Sequence, residues 1–346
     1  MPTSLKSNLP DATDGPGSKT PPRKNPKIPL GTLGLERYSG LYILVVLAVV
    51  FTVMLPDTFG TANNVRVIAA SAAIAGILTL AVTLSMASGT FDISLAANMT
   101  FSICLLGRLA GTWGLSWPLA VLLTILAGAL VGAVNAAIIT RMNIEPIIVT
   151  LGMSSILAAL AYWVASGQTI LLDNAGAAFS NAGTMRIATV PITVYYLAGV
   201  ALVLWYLLEH TPFGRYVYAI GSNPQAARLA GVRVTRLQSM SLMMSGALAA
   251  LAGVVLTMQL GAAPFGAGAA YLLPAFAATF LGSTQILPGR FNVRGTVVAL
   301  YLLATAVKGL QLRFPDLPWL ADLVQGAVLL VAVSITARAA KKRTSS

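Results

Sequence analysis

Residues 67–87, VIAASAAIAGILTLAVTLSMA, run for 21 positions without a charged side chain. About 18 or more apolar residues in a row are enough to cross the hydrocarbon core of a bilayer. Similar runs recur between about residues 40 and 337, and 57% of the 346 residues are hydrophobic while 9% are charged. A soluble domain has about 25% charged residues. The sequence therefore predicts an all-α polytopic membrane protein, because apolar runs this long satisfy their backbone hydrogen bonds in lipid only as helices.

The apolar runs divide into about ten predicted transmembrane helices within a membrane domain at residues 38–338. Eight or nine spans are an alternative, because several runs are short or interrupted by Gly or Pro. Residues 1–37, rich in Pro and Lys, are predicted to be a disordered cytoplasmic tail, and residues 339–346 to be a basic cytoplasmic tail. The ten helices are expected near residues 40–56, 65–87, 93–110, 118–140, 147–166, 190–208, 237–260, 270–283, 295–310 and 318–337.

The distribution of Lys and Arg predicts the orientation of the chain. With ten spans and a cytoplasmic N-terminus, 17 of the 22 basic residues fall on the cytoplasmic side. Cytoplasmic loops of membrane proteins carry an excess of Lys and Arg, so both termini are expected in the cytoplasm. The net charge of +12 then reflects topology. Nucleic acid is not expected as a partner, because the basic residues do not share one soluble face.

The residue types that carry most catalytic and metal chemistry are scarce. The one cysteine, Cys104, lies in an apolar run, and the one histidine is His210. This excludes a disulfide framework and Cys- or His-based metal sites. The predicted spans lack the stacked carboxylates of ion-coupled carriers and the HExxH or GxSxG motifs of proteases. No enzymatic activity, metal or cofactor is expected.

The segment SGTFDIS, residues 88–94, places Thr90 and Asp92 between two apolar runs. A carboxylate near hydrocarbon often marks a transport pathway, a proton relay or an ion pair. Asp92 could instead lie at the cytoplasmic interface and cap the helix that begins near Ile93. The expected topology favours the cap, and the pathway stays an alternative.

Uncharged residues with amide side chains stand in or beside the apolar runs, among them Asn98, Asn135, Gln168, Gln259 and Gln285. The ones considered as path candidates are Asn98, Gln168 and Gln259. They could contact a hydroxylated solute, and with Thr90 and Asp92 they are the candidates for a solute path or gate. Isolated amide side chains more often hold helices together through hydrogen bonds. That second interpretation is the favoured one for the three amides.

Two glycine pairs have GxxxG spacing, one within the predicted helix at 118–140 and one at the end of the predicted helix at 93–110. They are Gly128 with Gly132, and Gly107 with Gly111. Glycines four residues apart allow two helices to approach closely. Close helix packing is therefore the role expected of both pairs.

The segment at residues 209–236 is longer than a connection between two helices requires. Within it, NPQAARLAG at residues 223–231 is expected to form a short amphipathic helix. Asn223 suits the N-cap, Pro224 the first helical position and Gly231 the C-terminal end. A basic, capped helix beside the membrane suits docking of another protein, although a structural interfacial helix would look the same. The residues expected to form the docking surface are Gly221, Asn223, Gln225, Ala226, Ala227, Arg228 and Gly231.

Five segments carry a family resemblance. They are SGTFDIS (88–94), IIVTLGMSSI (147–156), SGQTI (166–170), AFAATFLGST (275–284) and, most specifically, TPFGRYVYAIGSNPQAARLAGV (211–232). From about Leu41 to its C-terminus the chain resembles the permease subunits of bacterial ABC importers of the ribose, xylose and arabinose type. QAARLAG is also similar to the EAAxxxG loop of ABC importer permeases, with Gln225 in place of the glutamate. LLPAFAA, residues 272–278, lacks the acidic pair of many such sugar permeases, and this difference concerns the solute rather than the mechanism.

The resemblance implies a function and a set of partners. In that family the loop corresponding to residues 211–232 couples the permease to an ATP-binding subunit, which would hydrolyse the ATP. A periplasmic solute-binding protein and a second permease copy or paralogue are also implied, in the bacterial inner membrane. The implied activity is import of a simple sugar or similar small polar solute by alternating access. A nucleoside or other non-sugar solute, an ion-coupled secondary carrier and a membrane scaffold stay open as alternatives.

Overall fold

The computed structural model describes residues 32–344, and the side chains of residues 38–336 apart from position 174. Most of the described backbone is α-helical, so the all-α prediction is confirmed. The helices are α1 Thr32–Met54, α2 Ala62–Ala87, α3 Leu95–Leu106, α4 Trp117–Met142, α5 Pro146–Ala165, α6 Gly176–Thr184, α7 Ile192–His210, α8 Pro212–Ser222, α9 Pro224–Leu229, α10 Val234–Leu260, α11 Leu272–Ser283, α12 Val293–Arg313 and α13 Leu320–Thr344.

Six helices are long and apolar enough to cross a membrane, namely α2, α4, α5, α7, α10 and α12. Shorter apolar helical stretches cover Tyr38–Met54, Ala267–Ser283 and Leu320–Thr336. The predicted polytopic membrane protein is therefore confirmed. Each of the ten predicted apolar segments coincides with a helix in the described part of the chain.

The helices extend further into the terminal segments than the sequence predicts. Helix α1 begins at Thr32 and kinks at Tyr38, where φ is −112° and ψ is 15°. Helix α1 thus covers residues 32–37 of the segment predicted as a tail, and α13 continues through basic residues to Thr344. Adding a residue to an existing helix is far easier than nucleating one, so helix can continue into polar sequence. The rest of the two predicted tails, residues 1–31 and 345–346, lies outside the described residues.

Helix α2 lies at the centre of the helix packing. It contacts α7, α10, α11 and α12, and Ile77, Leu78 and Leu80 are fully buried. A helix that is apolar on every face can be buried on every face. Because SGTFDIS directly follows α2, this packing fixes the segment that contains Asp92 against the core.

The glycine pair in α4 packs against α10 as predicted. A Cβ on Gly128 would overlap the Cβ of Ala250, and a Cβ on Gly132 would overlap the carbonyl of Leu242. The two helices therefore approach backbone to backbone along this pair. The helix-packing interpretation of Gly128 and Gly132 is confirmed.

The second glycine pair packs against strands, so the prediction of a helix contact is wrong. A Cβ on Gly107 would lie 2.6 Å from the Cβ of Ala263, and one on Gly111 would lie 2.8 Å from the carbonyl oxygen of Leu171. These neighbours belong to β1, Ile170–Leu171, and β4, Ala262–Ala263, which pair antiparallel. A second ribbon joins β2, Arg186–Ile187, to β3, Val190–Pro191. Two-residue strands carry too little sequence pattern to be predicted.

Candidate functional site

Helices α8 and α9 form the segment predicted to dock a partner. Asn223 caps α9, because its side-chain oxygen accepts the backbone N–H of Ala226 at 3.0 Å, and Pro224 follows in the first turn. Gly231 has a φ of +80°, and its N–H donates to the carbonyl of Arg228 at 3.0 Å. A glycine in the left-handed region is a common helix terminator. The predicted capped helix is confirmed.

The two helices expose most of the predicted docking residues. Ala227 differs, because it is 6% exposed and packs with Ile220 and Val234. Its side chain therefore fixes α9 to the protein instead of facing a partner. Leu229, which the sequence analysis did not single out, is 91% exposed at the end of α9. The exposed members of the predicted set are Gly221, Asn223, Gln225, Ala226, Arg228 and Gly231.

The surface around α9 is basic. Residues 212–236 contain four arginines and no Asp or Glu, and all four arginines are exposed. A cavity of about 450 Å³ lies beside the end of α9, with Phe213, Tyr216 and Arg233 in its wall. Opposite charge on two surfaces steers their association and fixes its register. This surface is therefore complementary in charge to an acidic one.

An ion pair fixes the α7–α8 corner to α12. Nη2 of Arg294 lies 2.6 Å from Oε2 of Glu209, and the indole N–H of Trp205 donates to the same oxygen at 2.9 Å. The side chain of Glu209 is 14% exposed and that of Arg294 is 45% exposed. In the described structure Oε1 of Glu209 is buried and has no hydrogen-bond partner. Arg294 is thus the one cation that compensates this carboxylate among the residues described.

Tyr218 joins α8 to the loop between α11 and α12. Its hydroxyl donates to the carbonyl oxygen of Phe291 at 2.7 Å, and the guanidinium of Arg290 lies 3.4 Å from its ring centroid. A guanidinium over an aromatic face is a cation–π contact. Burial raises the pKa of the Tyr218 phenol, with a smaller opposing effect from Arg290. The hydroxyl therefore stays protonated at neutral pH and keeps its hydrogen bond.

The end of α8 packs directly on the SGTFDIS segment. Gly89 has a φ of +78°, and a Cβ on it would lie 3.1 Å from the Cα of Gly221. A Cβ on Gly221 would overlap the carbonyl oxygen of Ala87. No side chain larger than hydrogen fits between the two backbones. A displacement of α8 would therefore act on the segment that joins α2 to α3.

Asp92 is buried, at 1% exposure. Its Oδ1 accepts the backbone N–H of Ser94 at 2.9 Å and the Ser94 hydroxyl at 2.6 Å. Asn135 of α4 in turn donates to the Ser94 hydroxyl at 2.8 Å. Asp92 is not the N-cap of α3, because the helix begins at Leu95 and no side chain caps its described N-terminus. The bonds of Asp92 to Ser94 instead order the turn before α3, and the packing of α2 encloses that turn. Thr90 in the same turn is equally buried.

The three predicted amides lie apart from one another. Asn98 donates to the carbonyls of Gly128 at 3.2 Å and Gly246 at 3.1 Å, so it joins α3, α4 and α10 as the helix-holding interpretation requires. Gln168 is exposed beside β1, and Gln259 is half-buried at the end of α10. Among the described residues, no hydrogen bond connects any two of the five predicted path residues. The structure therefore does not bring them together as one path.

A cavity of about 280 Å³ lies between α3, α5 and the segment before α11. Its wall is mostly apolar and includes Phe265 and the hydroxyl residues Thr100 and Ser154. Both hydroxyls donate to carbonyls of their own helices, at 3.1 and 2.8 Å, and their oxygens can still accept. Sequence reasoning missed this site because three distant segments form it. Across the described part of the chain, no three His, Cys, Asp or Glu residues gather as a metal site requires.

Comparison with known proteins identifies the family. Residues 64–333 match the family described as branched-chain amino acid transport system / permease component. The chain is 33% identical to the fructose import permease protein of Rhizobium meliloti over 304 residues, which cover 85% of this chain and 83% of that protein. It is also 33% identical to the ribose import permease protein of Bacillus subtilis (strain 168), covering 86% and 91% of the two chains.

A third relative is the autoinducer 2 import system permease protein of Escherichia coli O9:H4 (strain HS), at 31% identity over 75% of this chain and 79% of that protein. No solved structure matches the chain. The resemblance to importer permeases seen in the sequence is thereby confirmed. The chain belongs to the branched-chain amino acid transport system / permease component family.

Proposed function

We propose that this chain is the membrane-spanning subunit of an ATP-driven ABC importer and carries a small polar solute into the cytoplasm by alternating access. One observation carries the proposal: an exposed basic helix pair, α8 and α9, is fixed to the membrane helices. The fixing contacts are the Glu209–Arg294 ion pair, the Tyr218 hydrogen bond and the backbone contact at Gly221. A soluble ATPase can move membrane helices only through an element that transmits force, and this pair meets that requirement.

The proposed topology has ten spans, formed by α1 to α5, α7 and α10 to α13, with both termini in the cytoplasm. The distribution of basic residues supports it, because 17 of 22 then lie inside. Helices α8 and α9 then lie on the cytoplasmic side, where ATP is available. Helix α6 and both ribbons lie outside.

The proposed partners follow from this topology. An ATP-binding subunit docks on α8 and α9 and hydrolyses the ATP, so the chain itself needs no cofactor and performs no catalysis. A periplasmic solute-binding protein delivers the solute outside, and a second permease copy or paralogue completes the path. Helix α5 supports such pairing, since most of its residues are exposed in the single chain. The location is the bacterial inner membrane.

The proposed solute is a simple sugar. Two of the three relatives above are named for sugars, fructose and ribose. The cavity beside α3 and α5 supports the proposal, because it combines an aromatic ring with hydroxyl groups on a mostly apolar wall. Ligand sites commonly combine apolar walls with a few polar groups that fix orientation.

The docking proposal is tested by reversing one charge. Arg228→Glu places a carboxylate on the exposed face of α9, and the expected result is loss of solute uptake and of the co-purifying ATPase while the variant still inserts in the membrane. Gly231→Pro should act alike, because proline cannot adopt the positive φ at this position. Arg141→Glu, at the end of α4, is the control and should retain the ATPase. Normal uptake by both α9 variants would contradict the docking assignment.

The solute is tested by uptake in cells that lack the native gene. Labelled ribose and fructose are compared with a nucleoside and with leucine. Uptake of a sugar that depends on this chain supports the proposal. Uptake of leucine or the nucleoside alone would contradict the proposed solute and leave the docking proposal intact.

A further inference from the structure

A further cavity, of about 310 Å³ and with several polar residues in its wall, lies at the opposite end of the membrane helices from α9. It is bounded by the first turns of α2, the end of α6, the β2–β3 ribbon, the start of α7 and the end of α10. Helix α6 reaches α10 here through Gly183, where a Cβ would overlap the backbone of Met258. This contact sets Gln259 in the wall of the cavity.

Two arginines without partners stand in this wall. Arg66 on α2 is half-buried, and Arg186 on β2 is exposed. Neither side chain has a hydrogen bond, ion pair or ring contact in the described structure. Two uncompensated guanidinium groups at one cavity favour an anionic ligand, since arginine binds phosphate and carboxylate through paired N–H groups.

Two buried polar atoms in the same wall also lack partners. Oγ1 of Thr193 is buried with no hydrogen-bond partner among the described residues, and that residue is 1% exposed. Oε1 of Gln259 is likewise buried and unpartnered. Unpaired buried polar groups are costly, and a ligand that donates to Gln259 and accepts from Thr193 would satisfy both. The ligand should therefore carry an anion and a hydroxyl or ammonium donor.

Below Arg66, the α2 side of the cavity is lined by Val67, Ala70 and Ser71 and is mostly apolar. From Val67 to Ser71 it covers about 6 Å at the helical rise of 1.5 Å per residue. Val67 in this wall is 46% exposed, and the hydroxyl of Ser71 is already bonded to the carbonyl of Val67 at 2.8 Å. The cavity thus has a charged upper end and an apolar lower side that is open along a transmembrane helix. That shape matches an amphiphile rather than a free solute.

We propose that this cavity binds the headgroup of a membrane phospholipid. Arg66 and Arg186 bind its phosphate, and the Thr193 hydroxyl donates to a phosphate oxygen. The Gln259 carbonyl accepts from a glycerol hydroxyl or an ethanolamine ammonium group, and one acyl chain follows Val67. Arginine side chains bind phosphate groups through their paired N–H donors. The site needs only the membrane location, so it stands apart from the transport proposal.

Native mass spectrometry of the purified full chain tests the site with three dioleoyl lipids: phosphatidylglycerol, phosphatidylethanolamine and phosphatidylcholine. The wild type should bind the first two more tightly than phosphatidylcholine, whose headgroup has no hydrogen-bond donor. The double variant Arg66→Gln/Arg186→Gln should bind phosphatidylglycerol about 30-fold more weakly, from the loss of two charges near lipid phosphate. The control Arg108→Gln/Arg313→Gln removes two arginines that stack on neighbouring rings outside the cavity and should bind normally.

A second variant keeps the proposal testable if the double variant fails to fold. Gln259→Leu should abolish the preference for phosphatidylethanolamine over phosphatidylcholine while phosphate binding persists. Unchanged phosphatidylglycerol binding by the Arg66/Arg186 variant would overturn the proposal. An undiminished headgroup preference in Gln259→Leu, or equal losses in the control pair, would overturn it as well.

Discussion

Removing the charge of Arg294 tests how firmly the α7–α8 corner, from which α8 begins, is tied to α12. In Arg294→Gln the carboxylate of Glu209 keeps the Trp205 indole as its described donor. Exposed ion pairs contribute about 0.2–1 kcal/mol, and hydrogen bonds to charged groups about 1.5–3 kcal/mol. The side chains of Glu209 and Arg294 are 14% and 45% exposed. The contribution of this ion pair to stability should therefore lie between that of an exposed ion pair and that of a charged hydrogen bond, at about 1–2 kcal/mol. A tenfold change corresponds to about 1.4 kcal/mol, so local opening of α8 should become about 5- to 30-fold more frequent.

Hydrogen exchange measures this opening at the backbone amides of residues 217–220, because a local opening equilibrium sets the exchange rate of protected amides. Arg294→Gln should accelerate hydrogen exchange at residues 217–220 by about 5- to 30-fold. The double variant Glu209→Gln/Arg294→Gln should accelerate it no further, since both changes break one contact. Arg215→Gln, an exposed arginine on α8, is the control and should leave exchange unchanged. Exchange in Arg294→Gln as slow as in the wild type would refute the claim that this ion pair restrains α8 through the α7–α8 corner.

Three further substitutions test the contacts around this element. Gly221→Ala places a methyl group against the Ala87 carbonyl. It should lower the free energy of unfolding by about 1–3 kcal/mol and reduce solute uptake. Gly199→Ala, where a methyl group meets open space, is the control and should be neutral in both assays. Tyr218→Phe should cost about 1 kcal/mol in unfolding free energy, and a variant as stable as wild type would contradict the role of its hydroxyl. Asp92→Ala removes the acceptor of two hydrogen bonds from Ser94 and should cost about 1–3 kcal/mol in unfolding free energy, whereas the isosteric Asp92→Asn keeps an acceptor and should be the more stable of the two; equal stability would contradict the role of these bonds in ordering the turn.

Much of the architecture could be predicted because it depends on local sequence. Long apolar runs report membrane helices directly, since lipid removes other ways to satisfy the backbone. The short helix α9 was equally predictable, because Asn223, Pro224 and Gly231 each have a conformational preference at a helix end. The ends of helices were harder to predict. Helix α1 begins at Thr32 instead of near residue 40, because a helix can propagate into polar sequence.

The contacts that fix the α7–α8 corner and α8 to the membrane helices could not be predicted. Glu209 and Arg294 are 85 positions apart, and each alone looks like an ordinary interfacial charge. The burial of Asp92 likewise follows from helices packed around the turn and not from its own neighbours in sequence. Gln168 and Gln259 were grouped by polarity alone, and polarity does not say which cavity, if any, a side chain reaches.

The central claim is that this chain works with an ATPase docked on α8 and α9, and ATP-dependent uptake tests it most directly. Right-side-out membrane vesicles from the native host are loaded with ATP or left empty and supplied outside with the host's periplasmic proteins, which include the proposed solute-binding protein. Sugar uptake is measured with and without collapse of the ion gradients. We expect uptake that requires ATP, survives collapse of the gradients and disappears in Arg228→Glu vesicles. Uptake in vesicles free of ATP, driven by an ion gradient and unaffected by Arg228→Glu, would contradict the account.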